Sequence, residues 1–279
     1  MQFTERYLAI VLLDLIGSTA FVQKVGARKA AEWLQYHDRL TRSLLYKFQG
    51  REIDRSDGFM LSFERPIDAV NFALHYQASI PNKTKLQCRI GIHYGSVIEV
   101  QQDELFTMTG AKSIELEGIS KNIAARTMSL CGAGQVLLTK EAMKAVRHRT
   151  NTFTPKDTRY ALAGEYRFKG VAETQIVYTV GSTIESLQPP PGNDKVKRLG
   201  GAKRIKSRMR DRALKEHITW IANRTALIFA CYALSVLAPI VIDKRLRMIN
   251  GLDFCFYWVD DLLELLDPVI TIIEKLISL

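Results

Sequence analysis

Cysteine is scarce and scattered. The four residues Cys88, Cys131, Cys231 and Cys255 form no C-x-x-C pair, and no histidine stands at metal-ligand spacing. That pattern excludes a disulfide framework and a structural zinc site, and predicts reduced, buried thiols. No secretory leader is expected either: the apolar run after Met1–Arg6 is short, is broken by Asp14, and no small-residue cleavage site follows it. The first domain is therefore expected in the cytoplasm. Negative charge is in deficit, with 29 Asp and Glu against 39 Lys and Arg, for a net charge of +10. The excess collects between Lys195 and Lys215, where no aromatic residues interleave with the charges as a base-stacking surface would require. Nucleic acid is not the expected partner. A basic block beside an apolar segment points to anionic lipid instead. At 47% hydrophobic residues over 279 positions, the chain can bury one domain of average size plus something smaller.

The run Tyr7–Leu13 has the length and composition of a strand buried on both faces. Gly17-Ser18-Thr19 breaks it, and a long helix is expected from about Thr19 to Phe48. A hairpin follows, Arg51–Arg55 and Phe59–Phe63, turning at Ser56-Asp57-Gly58. Pro66 opens a further helix. Leu86–Tyr94 alternates like a strand that stops at Gly95, Glu117–Leu130 reads as a helix and Gln135–Thr139 as a strand. Strands near Tyr160–Phe168 and Gln175–Val180 complete a ferredoxin-like α+β sheet with additions. This order gives a domain over residues 1–182 and a linker over 183–216. The linker is stiff at Pro189-Pro190-Pro191 and loose at Gly200-Gly201. A hydrophobic, amphipathic helical tail over 217–279 contains the uncharged segment Thr225–Ile242. That segment has the minimum length for a transmembrane helix, with its N-terminal side inside by the charge bias. Pro239 equally fits a core helix of a small α-helical domain.

Two aspartates stand where chemistry is plausible. Asp14 ends the first strand and Asp57 sits in the hairpin turn, so in a sheet where these strands are neighbours both carboxylates face one point. Mg²⁺ or Mn²⁺ prefers such hard oxygen ligands and can bridge triphosphate oxygens. Gly17, Ser18 and Thr19 would present helix-entry N–H groups to phosphate. The plain alternative is a capping Asp14 and a turn-forming Asp57. Asn122 and Arg126, four apart, project from one helical face and could orient a ribose and neutralise a reacting phosphate. A solvated face is the alternative. Arg89 and Lys169 add cations that could hold outer phosphates.

The segments LDLIGSTAF, GREIDRSDGFMLSFERPIDAV, CRIGIHYGSV, GISKNIAARTMSLCGAGQVLLT and YRFKGVAETQIVYTV occur in this order across Tyr7–Val180. Together they resemble the catalytic domain of class III adenylate/guanylate cyclases. The resemblance implies closure of a nucleoside triphosphate onto its own 3′-oxygen, with release of pyrophosphate, using two Mn²⁺ or Mg²⁺ ions. It implies that Asp14 and Asp57, with the backbone carbonyl of Leu15, bind the metals. Asn122 and Arg126 would act on the ribose and α-phosphate, and Arg89 and Lys169 on the β- and γ-phosphates. It also implies a homodimer with two shared sites.

In the same family the base is read from the positions of Ile53 and Glu115. Ile53 can neither donate nor accept a hydrogen bond, and Ser56 stands where a glycine is usual. A site leaving a base edge unpaired discriminates poorly, which argues against an ordinary purine cyclase. In this respect, and in its short catalytic domain with an unrelated tail, the chain resembles the pyrimidine cyclases of bacterial Pycsar anti-phage systems. Cyclic UMP or cyclic CMP read by a separate effector is then expected. A purine cyclase, and a catalytically silent cyclase-like binding or dimerisation module, are the competing readings.

Overall fold

In the computed structural model the described residues are 2–56, 58–80, 87–147, 153–201, 215 and 218–226. They fall into two units, Met1–Ile205 and Lys206–Leu279.

The first unit is built on β1 (Gln2–Ile16), α1 (Ser18–Val25), α2 (Ala27–Lys47), β2 (Arg51–Arg55), β3 (Gly58–Phe63), α3 (Pro66–Ser79) and β4 (Gln87–Gln101). These seven elements make the ferredoxin-like unit expected from the sequence: the order β2-β3-β1-β4, each strand antiparallel to the next. There follow α4 (Glu104–Met108), β5 (Ile114–Glu117), α5 (Ile119–Leu130), β6 (Val136–Thr139), α6 (Lys140–Val146), β7 (Arg159–Phe168) and β8 (Gln175–Gly181). Two short strands, β9 (Gly192–Asn193) and β10 (Val196–Gly200), close the sheet in the order β4-β6-β8-β7-β10-β9, with β6 parallel to β4.

Alternation along β1 divides the core. Ala9, Val11, Leu13 and Leu15 face the helices α2 and α3 together with Phe59, Phe63, Phe72 and Tyr76. Leu8 and Ile10 face the other way, toward Val97, Leu116 and Ala124 of α5. Gly91 of β4 lets α5 approach the sheet closely, because a Cβ there would run into the backbone of Met128.

Several boundaries differ from expectation. The long helix is two, α1 and α2, broken at Gly26, whose φ of 83° and ψ of 156° lie outside helical space. β4 does not stop at Gly95 but runs on to Gln101, held by the full length of β1. Residues 114–117, partly read as helix, are strand β5 paired with β4. The largest correction concerns the linker. Val196 is 1% exposed and packs with Tyr166 and Phe168, and the Tyr166 hydroxyl donates to the Pro190 carbonyl at 2.7 Å. Residues 192–200 thus extend the sheet rather than leave it, through β10 pairing with β7.

In the second unit residues 218–226 are helical, with the Arg224 guanidinium 4.7 Å above the Trp220 ring. Among the described residues no helix is long and apolar enough to cross a membrane. The segment Thr225–Ile242 lies outside the described residues from position 227 onward.

Candidate active site

Asp14 follows Leu8, Ile10 and Leu12 on one face of β1, so the pleat that buries Leu8 and Ile10 and half-buries Leu12 aims its carboxylate into a cleft. The ladder sets it opposite Gly58 of β3 on one side and Arg89 of β4 on the other. Only glycine fits at 58, since a Cβ would collide with the Leu13 carbonyl oxygen. The expectation that β1 and the hairpin are neighbours therefore holds, and the residue pairing with Asp14 directly follows Asp57 in the chain. Asp57 itself lies outside the described residues.

The hairpin turn is anchored from α2. Buried Asp38 receives the Arg55 Nε at 3.0 Å, and Arg55 donates from its guanidinium to the Ser56 carbonyl at 2.9 Å. His37, beside Asp38, is held in its neutral form by burial, which lowers its pKa against the pull of that carboxylate.

Arg89 does not stand free for outer phosphates. Its Nε lies 2.9 Å and its Nη2 2.5 Å from the same Asp14 oxygen, a charge-assisted pair in which both side chains keep partial exposure. The register accounts for it: the two residues are direct cross-strand partners, and opposite charges there attract. Leu15, next in line, buries its side chain in the core. Gly17, with φ 76° in the left-handed region, turns the chain into α1, so Ser18 and Thr19 form a first helical turn whose N–H groups have no partner within the helix. Among the described residues no three His, Cys, Asp or Glu side chains converge as a metal cluster. The Asp14 carboxylate that faces the cleft is a hard oxygen donor and fits Mg²⁺ or Mn²⁺ chemistry rather than that of a softer ion.

The cleft, about 540 Å³, is lined by Asp14, Ile53, Asp54, Lys112, Glu115 and Lys121 among others. Ile53 is 6% exposed and joins the apolar cluster of Leu8 and Ile10. Glu115 reaches the cleft from β5 and accepts from the Gln102 amide at 3.3 Å. Asp54 and Lys112 are bonded across the cleft at 2.6 Å. Neither was singled out from sequence. In a regular strand Asp54 would face away from Ile53, and nothing in the composition announces the bulge that turns it.

From α5 the cleft is lined by Lys121 and Met128, not by Asn122 and Arg126. Asn122 is exposed, and Arg126 donates from Nε to the Lys169 carbonyl at 3.3 Å. Lys169 in turn donates its backbone N–H to the Lys195 carbonyl, so the turn between β9 and β10 supports the loop that Arg126 touches. Two groups thus result in one chain: Asp14 with Arg89, and Arg126 with the backbone of exposed Lys169.

The family profile described as the adenylate and guanylate cyclase catalytic domain matches residues 4–182. Solved structures share the fold at low identity. The adenylyl cyclase CyaB from P. aeruginosa is 16% identical, with 67% of this chain and 100% of that one covered at a TM-score of 0.57. An adenylate cyclase from Trypanosoma brucei in its monomeric state is 19% identical over 70% of this chain and 94% of that one, at 0.55. The guanylate cyclase domain of RhGC from Catenaria anguillulae, in complex with GTP, is 16% identical over 65% and 99%, at 0.53. No curated protein sequence matches the chain. With most of its length under the profile and the ladder of β1, β3 and β4 carrying Asp14 into the cleft, the chain belongs to the adenylate and guanylate cyclase catalytic domain family, the class III nucleotide cyclases.

Proposed function

We propose that this class III cyclase acts on a pyrimidine nucleoside triphosphate, UTP ahead of CTP. The carrying observation is Ile53: the position from which the family reads a purine edge holds a buried aliphatic side chain packed among Leu8, Ile10 and Leu116. A purine reader there would need a donor or acceptor that this residue does not have.

The 3′-oxygen attacks the α-phosphorus, the bond to pyrophosphate breaks, and the 3′-hydroxyl proton passes to solvent water. Arg126 neutralises the charge on the α-phosphoryl oxygens as that exchange occurs, and the Asn122 amide orients the ribose. Lys169, with Gly17, Ser18 and Thr19, holds the outer phosphates, while Arg89 can join them only by leaving Asp14. Asp14, Asp57 and the Leu15 carbonyl would hold two Mn²⁺ or Mg²⁺ ions, which neutralise triphosphate charge and acidify the hydroxyl when bound. Asn122 and Arg126 are absent from the lining that contains Asp14, which supports a homodimer whose sites each combine the carboxylates of one chain with the helix of the other.

The cyclic UMP or cyclic CMP formed would serve as an anti-phage signal for a separate effector. The basic block and apolar tail would hold the catalytic domain against the inner face of the membrane. Incubating the purified protein with each of the four ribonucleoside triphosphates and Mn²⁺, and identifying products by mass spectrometry, tests the reading. A cyclic pyrimidine as main product supports it. Cyclic AMP or cyclic GMP replaces it with a purine cyclase, and no consumption of any triphosphate replaces it with a silent module.

A further inference from the structure

The geometry points to Asp54 and Lys112 as the polar pair that reads the base in this cleft, taking over from the apolar Ile53. The inference rests on the cyclase reading above and deepens it. The register of β2 against β3 slips between Glu52, opposite Leu61, and Asp54, opposite Met60, so two residues of β2 advance for one of β3. Such a bulge turns consecutive side chains toward the same side, where a regular strand would send them to opposite faces. Ile53 and Asp54 therefore both line the cleft. Ile53 supplies an apolar wall, and Asp54 brings a carboxylate beside it.

Lys112 comes from the segment just before β5 and places Nζ 2.6 Å from Asp54 Oδ1. Both side chains keep solvent access, at 48% for Lys112 and 28% for Asp54. An ion pair this exposed contributes little to stability. Its chemistry is more informative. The ammonium has two donors beyond the one directed at Asp54, and the carboxylate has a second oxygen. Together they present a donor beside an acceptor. That array complements the O4 and N3–H of uracil, and with the order reversed the N3 and amino group of cytosine. Glu115, on the neighbouring strand and in the same cleft, adds a further acceptor.

The test uses the full chain and measures kcat/KM for UTP, CTP, ATP and GTP. In parallel it measures binding of the matching 3′-deoxynucleoside triphosphates, which cannot cyclise. Lys112→Met and Asp54→Asn should each cut the preference for the best base over the next by about tenfold, the worth of one lost hydrogen bond to a charged group. The charge swap Asp54→Lys with Lys112→Asp keeps an ion pair but exchanges donor and acceptor, and should move the preference between keto and amino bases. Preferences within twofold of wild type in both single variants overturn the inference. So does a swap that restores the original preference, since a merely structural bridge would behave that way. If the wild-type chain binds 3′-deoxy triphosphates selectively but cyclises none of the four substrates, the cyclase reading fails separately, and the binding arm still decides between reader and bystander.

Discussion

Arg89 holds the Asp14 carboxylate from the adjacent strand, with Nη2 at 2.5 Å, so the oxygen proposed to meet a metal already carries a cation. A divalent ion must displace that guanidinium or share the carboxylate with it. Removing the competitor should favour the ion. Arg89→Ala is expected to tighten Mn²⁺ binding by about fivefold in calorimetry, the scale of a partly exposed ion pair. The KM for triphosphate should rise in the same variant. Unchanged Mn²⁺ affinity would show that the pair does not compete with metal.

A site shared between two chains makes a mixing prediction. Asp14→Ala and Arg126→Ala proteins should each lose cyclase activity by at least about a hundredfold, the scale of a lost transition-state contact. Mixed in equal amounts they should recover about a quarter of wild-type activity, because half of the dimers formed at random carry one intact site of two. Activity that stays at the level of the separate variants counts against sharing.

Gly58 has no room for a side chain where β3 meets the Leu13 carbonyl. Gly58→Ala should push the strands apart beside Asp14 and destabilise the domain by about 1–3 kcal/mol. Thermal unfolding should begin about 5 °C lower. Catalysis should fall with it, since the hairpin turn moves. A variant with wild-type melting and activity would deny that close approach.

His93 is buried against Thr139, its ring nitrogen 2.8 Å from the hydroxyl, and burial lowers its pKa to about 4. The unfolded chain takes up a proton near pH 6.5 that the folded chain refuses, so stability is full above that pH. It is lost as pH falls toward about 4, by roughly 3 kcal/mol at most. Denaturant midpoints measured from pH 7 to 4 should show this loss, and His93→Gln should flatten that part of the profile. An equal slope in both proteins would assign it to other groups.

Val196 belongs to the core that also holds Tyr166 and Phe168. A chain cut after residue 182 should therefore melt below one cut after residue 201, and Val196→Asp should cost about 3 kcal/mol in the longer chain. Equal melting of the two lengths would return residues 183–201 to the status of a linker.

Much of this was legible in the residues. The continuous apolar run around Ile10, the alternation around Ile90 and the turn residues after Arg55 announced strands and hairpin in the right order, because burial and turn chemistry are local demands. Where the text was misread, two signals competed. Pro189-Pro190-Pro191 and Gly200 carry linker composition, yet one valine and one tyrosine hydroxyl tie the segment to the sheet. Glu117 reads as the start of a helix and Ile114–Leu116 carry no strong signal, yet all four pair with the edge that β4 offers. Gly26 alone divided what helical periodicity had joined.

By itself the sequence determined the family, since the five motif segments and their order along the chain cannot depend on folding. Tertiary structure alone decided what each group faces. Cross-strand register put Arg89 on Asp14, a single bulge turned Asp54 into the cleft beside Ile53, and helix packing directed Arg126 to the Lys169 loop. Register, bulge and packing are relations between distant segments, and they come into being only when strands pair and side chains compete for the same interior.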